Sequence, residues 1–295
     1  MTSYDFETWD VFTERKFAGN PLAVVMNGQG LSTEQMQTIT REFNLAETAF
    51  VLPPKDASHT ARLRIFTPGY EMPFAGHPTI GSSVAIARAR NISGDIKLEL
   101  NTGVFAVNVN SVADRGYAEF QNPNLPSENG TPPETAMIEA ALSLPRDALD
   151  TGLHKPRRVG AGVDFIYVRA SLDDVRNAKV NQAAWEALKL EEIVGIYLYA
   201  EGGEAADASY HVRMFAPGAG IMEDPATGGA AAGFPGQLAL AGALREGQQR
   251  LLIEQGFEIG RPSQIMATVD VANGSVQSVR IGGNAVHMQT GQIFV

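Results

Sequence analysis

The sequence predicts an α+β protein of two pseudosymmetric domains, each a mostly antiparallel sheet wrapped around a central apolar helix. Three observations carry this reading. A motif pair recurs half a chain apart, the same strand–turn–helix order surrounds each copy, and the helix in each copy is almost free of charge. Arg64-Ile65-Phe66-Thr67-Pro68-Gly69 returns as Arg213-Met214-Phe215-Ala216-Pro217-Gly218, at an offset of 149 residues. Glu71-Met72-Pro73-Phe74-Ala75-Gly76, followed by Gly81, returns as Glu223-Asp224-Pro225-Ala226-Thr227-Gly228, followed by Gly233, at an offset of 152. Both copies read E-x-P-x-x-G-x-x-x-x-G. Leu98-Glu99-Leu100 and Ile253-Glu254-Gln255 fall near the same offset.

Each element has a local reason. Ser32 is a natural N-cap for a helix over Thr33 to Glu42, and Thr48 to Leu52 follows as a strand. Thr60 to Phe66 and His211 to Phe215 are strand-like, and each is ended by a Pro-Gly turn. Gly81 to Ala87 and Ala230 to Leu240 carry small apolar residues and read as helices buried on most faces. Strands flank them at Ile96 to Val109, bent at Gly103, and at Leu251 to Val269, bent at Gly256 and Gly260. The second half adds a helix over Gln182 to Leu190 and a strand over Gly195 to Ala200. Pro, Asn and Ser concentrate between Gln121 and Pro133, which reads as a linker. The expected division is therefore residues 1–120 with 284–295 returning as a last strand, a linker at 121–133, and a second domain at 134–283.

Composition removes several classes of function. Of 295 residues, 44% are hydrophobic and 19% charged, ordinary values for a globular chain. Lys plus Arg is 23 against 33 for Asp plus Glu, a net charge of -10. The basic pairs Arg62/Arg64 and Arg157/Arg158 are too short to track a phosphate backbone, so no nucleic-acid partner is expected. Without cysteine there is no disulfide, thiolate metal site or thiol nucleophile. The first residues lack the basic and apolar regions of a signal peptide, and the apolar stretch from Gly229 to Leu244 is too short to span a bilayer. A cytoplasmic protein without a membrane partner is the expectation. The five histidines show no metal-ligand spacing, so no metal is expected, and neither G-x-G-x-x-G nor a phosphate-binding loop is present to hold a nucleotide cofactor. No G-x-S-x-G elbow supports a serine hydrolase.

The two E-x-P-x-x-G segments place glycine-containing turns before buried helices, where backbone N–H groups and the helix dipole favour an anion. A small carboxylate held by two such turns across a domain cleft is one reading; close helix–sheet packing is the other. Differences between the copies narrow the chemistry. Gly76 is followed by His77 where Gly228 is followed by Gly229, and Met72 stands where the second copy has Asp224. A histidine and a carboxylate facing one cleft could share proton transfer near neutral pH. Taken singly, Asp224 also fits a helix N-cap and His77 a satisfied turn histidine. Glu47 lies among Leu45, Ala46, Ala49, Phe50 and Val51, where burial would move a carboxyl toward the acid–base range, although an ordinary surface Glu at a strand start fits as well.

Taken together the motifs resemble the PhzF family, phenazine-biosynthesis-like isomerases that share the diaminopimelate epimerase fold. The resemblance rests on Asp10-Val11-Phe12-Thr13, Phe17-Ala18-Gly19-Asn20-Pro21-Leu22-Ala23-Val24-Val25, Ala46-Glu47-Thr48-Ala49-Phe50-Val51 and both E-x-P-x-x-G segments with their preceding strands. It implies two epimerase-like domains, a homodimer, and isomerisation by proton transfer without a cofactor on a small carboxylic acid such as trans-2,3-dihydro-3-hydroxyanthranilate. It implies that Glu47 moves the proton, that His77 and Asp224 assist, and that Gly76, His77, Pro78, Thr79, Gly228, Gly229 and Ala230 bind the substrate. One departure is clear: Gly229 replaces the family's usual serine. The absence of cysteine excludes the two-thiol racemase chemistry of related enzymes. A non-catalytic carboxylate-binding protein and a single-base amino or hydroxy acid racemase are the alternatives on the same fold.

Overall fold

The structure, a computed structural model, describes residues 2–190 and 192–295. It divides into one unit that runs to Gln121 and resumes at Gly282–Val295, and a second over Asn122–Ile281. No helix among the described residues is long and apolar enough to cross a membrane.

The first unit contains β1 (Ser3–Val11), β2 (Asn20–Val25), α1 (Thr33–Phe43), β3 (Glu47–Leu52), β4 (Ala61–Phe66), β5 (Glu71–Met72), α2 (Gly76–Arg90), β6 (Gly94–Leu100), β7 (Gly103–Val112) and β8 (Arg115–Gln121). The second contains β9 (Ser127–Glu128), α3 (Thr135–Ala141), β10 (Arg157–Gly160), β11 (Asp164–Arg169), α4 (Leu172–Asn177), α5 (Gln182–Ala187), β12 (Ile193–Glu201) and β13 (Tyr210–Ala216). A 3-10 turn at Pro217–Ala219 leads to β14 (Ile221–Asp224), α6 (Gly228–Leu240), β15 (Gly247–Gln255) and β16 (Ser263–Ala272). The last strand, β17 (Ser275–Phe294), begins in the second unit and ends in the first, antiparallel to β1.

The duplication is visible in the pairing. In the first unit β1 and β2 are antiparallel, β2 and β3 parallel, β3 and β4 antiparallel, β4 and β6 parallel, and β6 and β7 antiparallel. The strands β10, β11, β12, β13, β15 and β16 repeat that order of antiparallel and parallel pairs. In both units a short strand, β5 or β14, pairs antiparallel with the strand before it and delivers the chain to the central helix. Two internal ion pairs obey the same symmetry. Arg64 holds Glu71 at 2.6 Å, and Arg213 holds Glu223 at 2.7 Å. Glu99 accepts the backbone N–H groups of Lys55 and Asp56, and its counterpart Glu254 accepts those of Glu204 and Ala205. The backbone N–H groups of Asp56 and Lys55, with His59 beside them, hold the Glu99 carboxyl down at about 2.

The central helices are buried nearly all round, as their lack of charge requires. Every residue of α2 from Gly76 to Ala87 is buried, and α6 is buried from Ala230 to Leu238. Phe234 of α6 packs against Tyr167, Tyr197, Tyr199 and Tyr210, with ring centroids 4.7–5.9 Å apart. On its other face each sheet carries an outer helical layer: α1 on Tyr4, Phe50 and Phe66, and α3 to α5 on Ile166, Ile196 and Phe215. Ser32 caps α1 through a reciprocal bond with Gln35, as the sequence leads one to expect.

Several boundaries differ from the sequence reading. The strand expected over 251–269 is two strands, because Gly256 and Gly260 adopt φ of +78° and +71° and turn the chain. The helix expected over 182–190 stops at Ala187. The expected linker does not hang free between the units. Ser127–Glu128 pairs with β10, and the buried Asn122 side chain donates to the carbonyls of Asn124 and Ala161. Arg157 and Arg158 are spent internally, on Gln237 and on Asp164.

Candidate active site

The register of the first unit places Glu47 beside the start of α2. Glu47 opens β3, opposite Leu22 of β2, and α2 begins where β5 delivers the chain through Pro73. Ala75 caps α2 without a side-chain bond, Gly76 and His77 open the first turn, and Pro78 sits where a missing N–H costs nothing. The first turn of this helix therefore receives no protein side-chain cap. His77 Nδ1 lies 3.0 Å from Glu47 Oε2, with side-chain exposures of 4% and 16%. The alignment falls short of a hydrogen bond, and Glu47 Oε2 is buried without a hydrogen-bond partner among the described residues.

The other histidines have ordinary partners. His59 meets Glu99, His154 meets the Tyr199 hydroxyl, His211 meets Glu254 and Glu258, and His287 meets Thr290. His77 differs: among the described residues it is the one histidine with a buried ring nitrogen, Nε2, that has no hydrogen-bond partner. Burying an unpaired nitrogen is costly unless something else meets it. A satisfied turn histidine is therefore the wrong description of His77. Glu47 is likewise no ordinary surface residue. Among the described residues no group of three His, Asp or Glu side chains is placed to hold a metal.

The second unit carries different chemistry at the equivalent points. Aligning Phe66 with Phe215 puts Gly195 at the position of Glu47, since Thr48 pairs with Phe66 and Ile196 with Phe215. A Cβ at Gly195 would stand 2.2 Å from the Phe215 carbonyl oxygen, so no side chain fits there. Gly195→Ala is expected to cost about 1–3 kcal/mol of stability through overpacking. A urea midpoint equal to wild type would show that the strand yields there.

Asp224 ends β14 and is buried, with Met214 as its cross-strand partner. Thr227 rather than Asp224 is the N-cap of α6, and like Ala75 it makes no side-chain cap bond. Its hydroxyl instead donates to Asp224 Oδ2 at 2.5 Å. Gly228 and Gly229 follow as the first helical residues, and Ala230 is fully buried behind them. Gly229 is not required by packing: a Cβ there would meet nothing nearer than Val163 Cγ2 at 3.7 Å. Gly229→Ala should melt no lower than wild type, because alanine is the better helix former; a lower melting temperature would mean that the glycine is structural.

Of the expected site residues, the structure gathers Gly76, His77, Pro78, Thr79 and Glu47 in the first unit, and Asp224, Gly228, Gly229 and Ala230 in the second. Pro78, Thr79 and Ala230 are buried at the helix starts; Thr79 donates its hydroxyl to the Ala75 carbonyl and so braces the turn. The sequence reading did not reach Thr227 and Gln255 as partners of Asp224. Their signal was a difference between the copies, Ala75 against Thr227 and Leu100 against Gln255.

Comparison with known proteins supplies the remaining constraint. The family model of the phenazine biosynthesis-like PhzC-PhzF proteins matches residues 9–291. A Mesorhizobium japonicum protein named only as an uncharacterized isomerase is 40% identical over 302 residues, covering 100% of both chains. The trans-2,3-dihydro-3-hydroxyanthranilate isomerase of Pseudomonas chlororaphis is 32% identical over 287 residues, covering 97% of this chain and 98% of its own. The crystal structure of a Bacillus anthracis phenazine biosynthesis protein of the PhzF family superimposes with a TM-score of 0.89 at 25% identity, over 100% of both chains.

Proposed function

Because the chain belongs to the PhzF family of phenazine biosynthesis-like proteins, we propose that it is a cofactor-independent isomerase that moves a proton on a small, dihydro-hydroxyanthranilate-like carboxylic acid. The observation that carries this reading is the Glu47–His77 pair, a largely buried carboxylate 3.0 Å from a buried imidazole whose Nε2 is bonded to no other described residue. Glu47 removes a proton from a carbon of the substrate, and the electron pair left behind shifts along the adjoining double bond. The protonated Glu47 then returns a proton at the far end of the shifted system. No atom is gained or lost. His77 lies against the carboxylate that changes charge and steadies it in both states. Backbone N–H groups at the starts of α2 and α6 are the donors available for a substrate carboxylate and for charge that develops beside it. In the same proposal Asp224 meets the substrate molecule that Glu47 serves, and the protein acts as a homodimer.

Gly195 supports one base rather than two, since the second copy has no room for a side chain where the first carries Glu47. The reading is tested by incubating the purified protein, without added cofactor, with trans-2,3-dihydro-3-hydroxyanthranilate and analysing the product by mass spectrometry. The expected product is an isomer of unchanged mass. No conversion, a product of altered mass, or conversion only after a cofactor is added would overturn it.

A further inference from the structure

The copies differ at three aligned positions that meet in space in the second unit. Met72, Ala75 and Leu100 of the first unit correspond to Asp224, Thr227 and Gln255 of the second. The β4–β6 pair Arg62 with Glu99 and the β13–β15 pair His211 with Glu254 fix the last of these correspondences. Three apolar residues are thus replaced by three polar ones, and these form one connected chain. Gln255, fully buried, donates through Nε2 to the Asp224 carbonyl at 2.7 Å and to Thr227 Oγ1 at 2.9 Å. Its Oε1 accepts the Thr227 backbone N–H at 3.1 Å. The Thr227 hydroxyl, having accepted from Gln255, directs its one proton to Asp224 Oδ2 at 2.5 Å.

The direction of donation has a consequence. A hydroxyl has one proton to give, and the Gln255 amide settles where it goes. Donation to a carboxylate oxygen favours the ionised form and fixes the orientation of the group. The buried phenol of Tyr197 on β12 is the titratable side chain that faces Asp224 from the neighbouring strands. The alternative use of Thr227, as a helix cap, is given up. The arrangement therefore serves the carboxylate rather than the helix.

We propose that Thr227 and Gln255 are positioning residues, a Gln255–Thr227–Asp224 chain that keeps the Asp224 carboxylate ionised and oriented for the reaction. This rests on the functional reading above insofar as Asp224 meets substrate. The chain itself is a property of the free protein and is testable without substrate. Thr227→Val keeps the shape of the side chain and removes the hydroxyl; Thr227→Ser restores it.

The experiment has two arms. In the first, carbon-13 NMR follows the titration of Asp224 in the free protein, with its signal assigned through Asp224→Asn. Thr227→Val is expected to raise the Asp224 midpoint by on the order of one pH unit, and Thr227→Ser to leave it near wild type. An unmoved midpoint in Thr227→Val would overturn the proposal whatever the substrate. In the second arm, conversion of trans-2,3-dihydro-3-hydroxyanthranilate is measured against pH. Thr227→Val should lower kcat/KM about tenfold at neutral pH and move its acidic limb upward, and Thr227→Ser should recover both. Gln255→Leu should act in the same direction as Thr227→Val. A raised midpoint with unchanged kinetics would overturn the positioning role. Full turnover by Asp224→Asn, or no conversion by wild type, would instead defeat the functional reading, and the first arm would still decide whether the chain holds the carboxylate.

Discussion

His211→Asn is expected to lose about 3–5 kcal/mol of stability, the cost of breaking a buried ion pair from one side. His211 is fully buried in β13, with Nδ1 3.3 Å from Glu254 Oε2 and Nε2 2.8 Å from Glu258 Oε1. Burial works to lower its pKa, but the Glu258 and Glu254 carboxylates outweigh burial and hold it above the ordinary histidine value. Burial likewise works to raise the Glu258 carboxyl, and His211 with Arg213 brings it below the ordinary carboxylate value. The signs follow by linkage. A histidine raised in the folded state contributes stability that is complete below its unfolded pKa, about 6.5, and is lost as pH rises through the folded value. A glutamate depressed in the folded state contributes stability that is present above its unfolded pKa, about 4.3, and is lost as pH falls through the folded value. The cluster is therefore most stabilising between these limits. Urea midpoints measured from pH 5 to 9 should fall on the alkaline side for wild type and fall less for His211→Asn. Identical profiles would show that His211 is not charged in the folded protein.

Much of the fold was legible because duplication doubles every signal. The capping box at Ser32 and Gln35, the Pro-Gly turns and the two mostly apolar helices each state their structure locally. Other elements could not be read this way. The strand β2 lacks an apolar–polar alternation because both of its faces are covered: Leu22, Ala23, Val24 and Val25 are all fully buried. At six residues, α4 is too short to show a helical period, and α5, expected from the sequence, is shorter than its composition suggests. The stretch at 122–133 has the composition of a linker, yet Asn122 and β9 tie it to the second unit through contacts that composition does not encode.

For the site, the asymmetry of the repeat was the useful guide. His77 against Gly229 and Met72 against Asp224 single out candidate residues from the sequence, and the strand register adds Glu47 against Gly195. What the sequence could not show was distance: that Glu47 and His77, 30 positions apart, meet at 3.0 Å, or that Gln255 reaches back to Thr227 and Asp224. The Asp224 side chain could be read equally well as a helix cap, and only the observed capping position, Thr227, separates the two roles.

Glu47→Gln is expected to show the largest loss of activity. General acid–base catalysis contributes about 10²–10⁴-fold, and the amide cannot accept the proton. The substitution is nearly isosteric and leaves the packing around β3 and α2 in place, so folding should be unaffected. His77→Asn should act less severely, since it removes the neighbour of the base and leaves the base itself.

The most direct test follows the ultraviolet absorbance of trans-2,3-dihydro-3-hydroxyanthranilate with wild type and Glu47→Gln in parallel, at protein in excess and with occupancy matched by calorimetry. Conversion by wild type, a rate at least about a hundredfold lower for the variant, and equal melting temperatures are expected. Conversion by Glu47→Gln within a few-fold of wild type would contradict it.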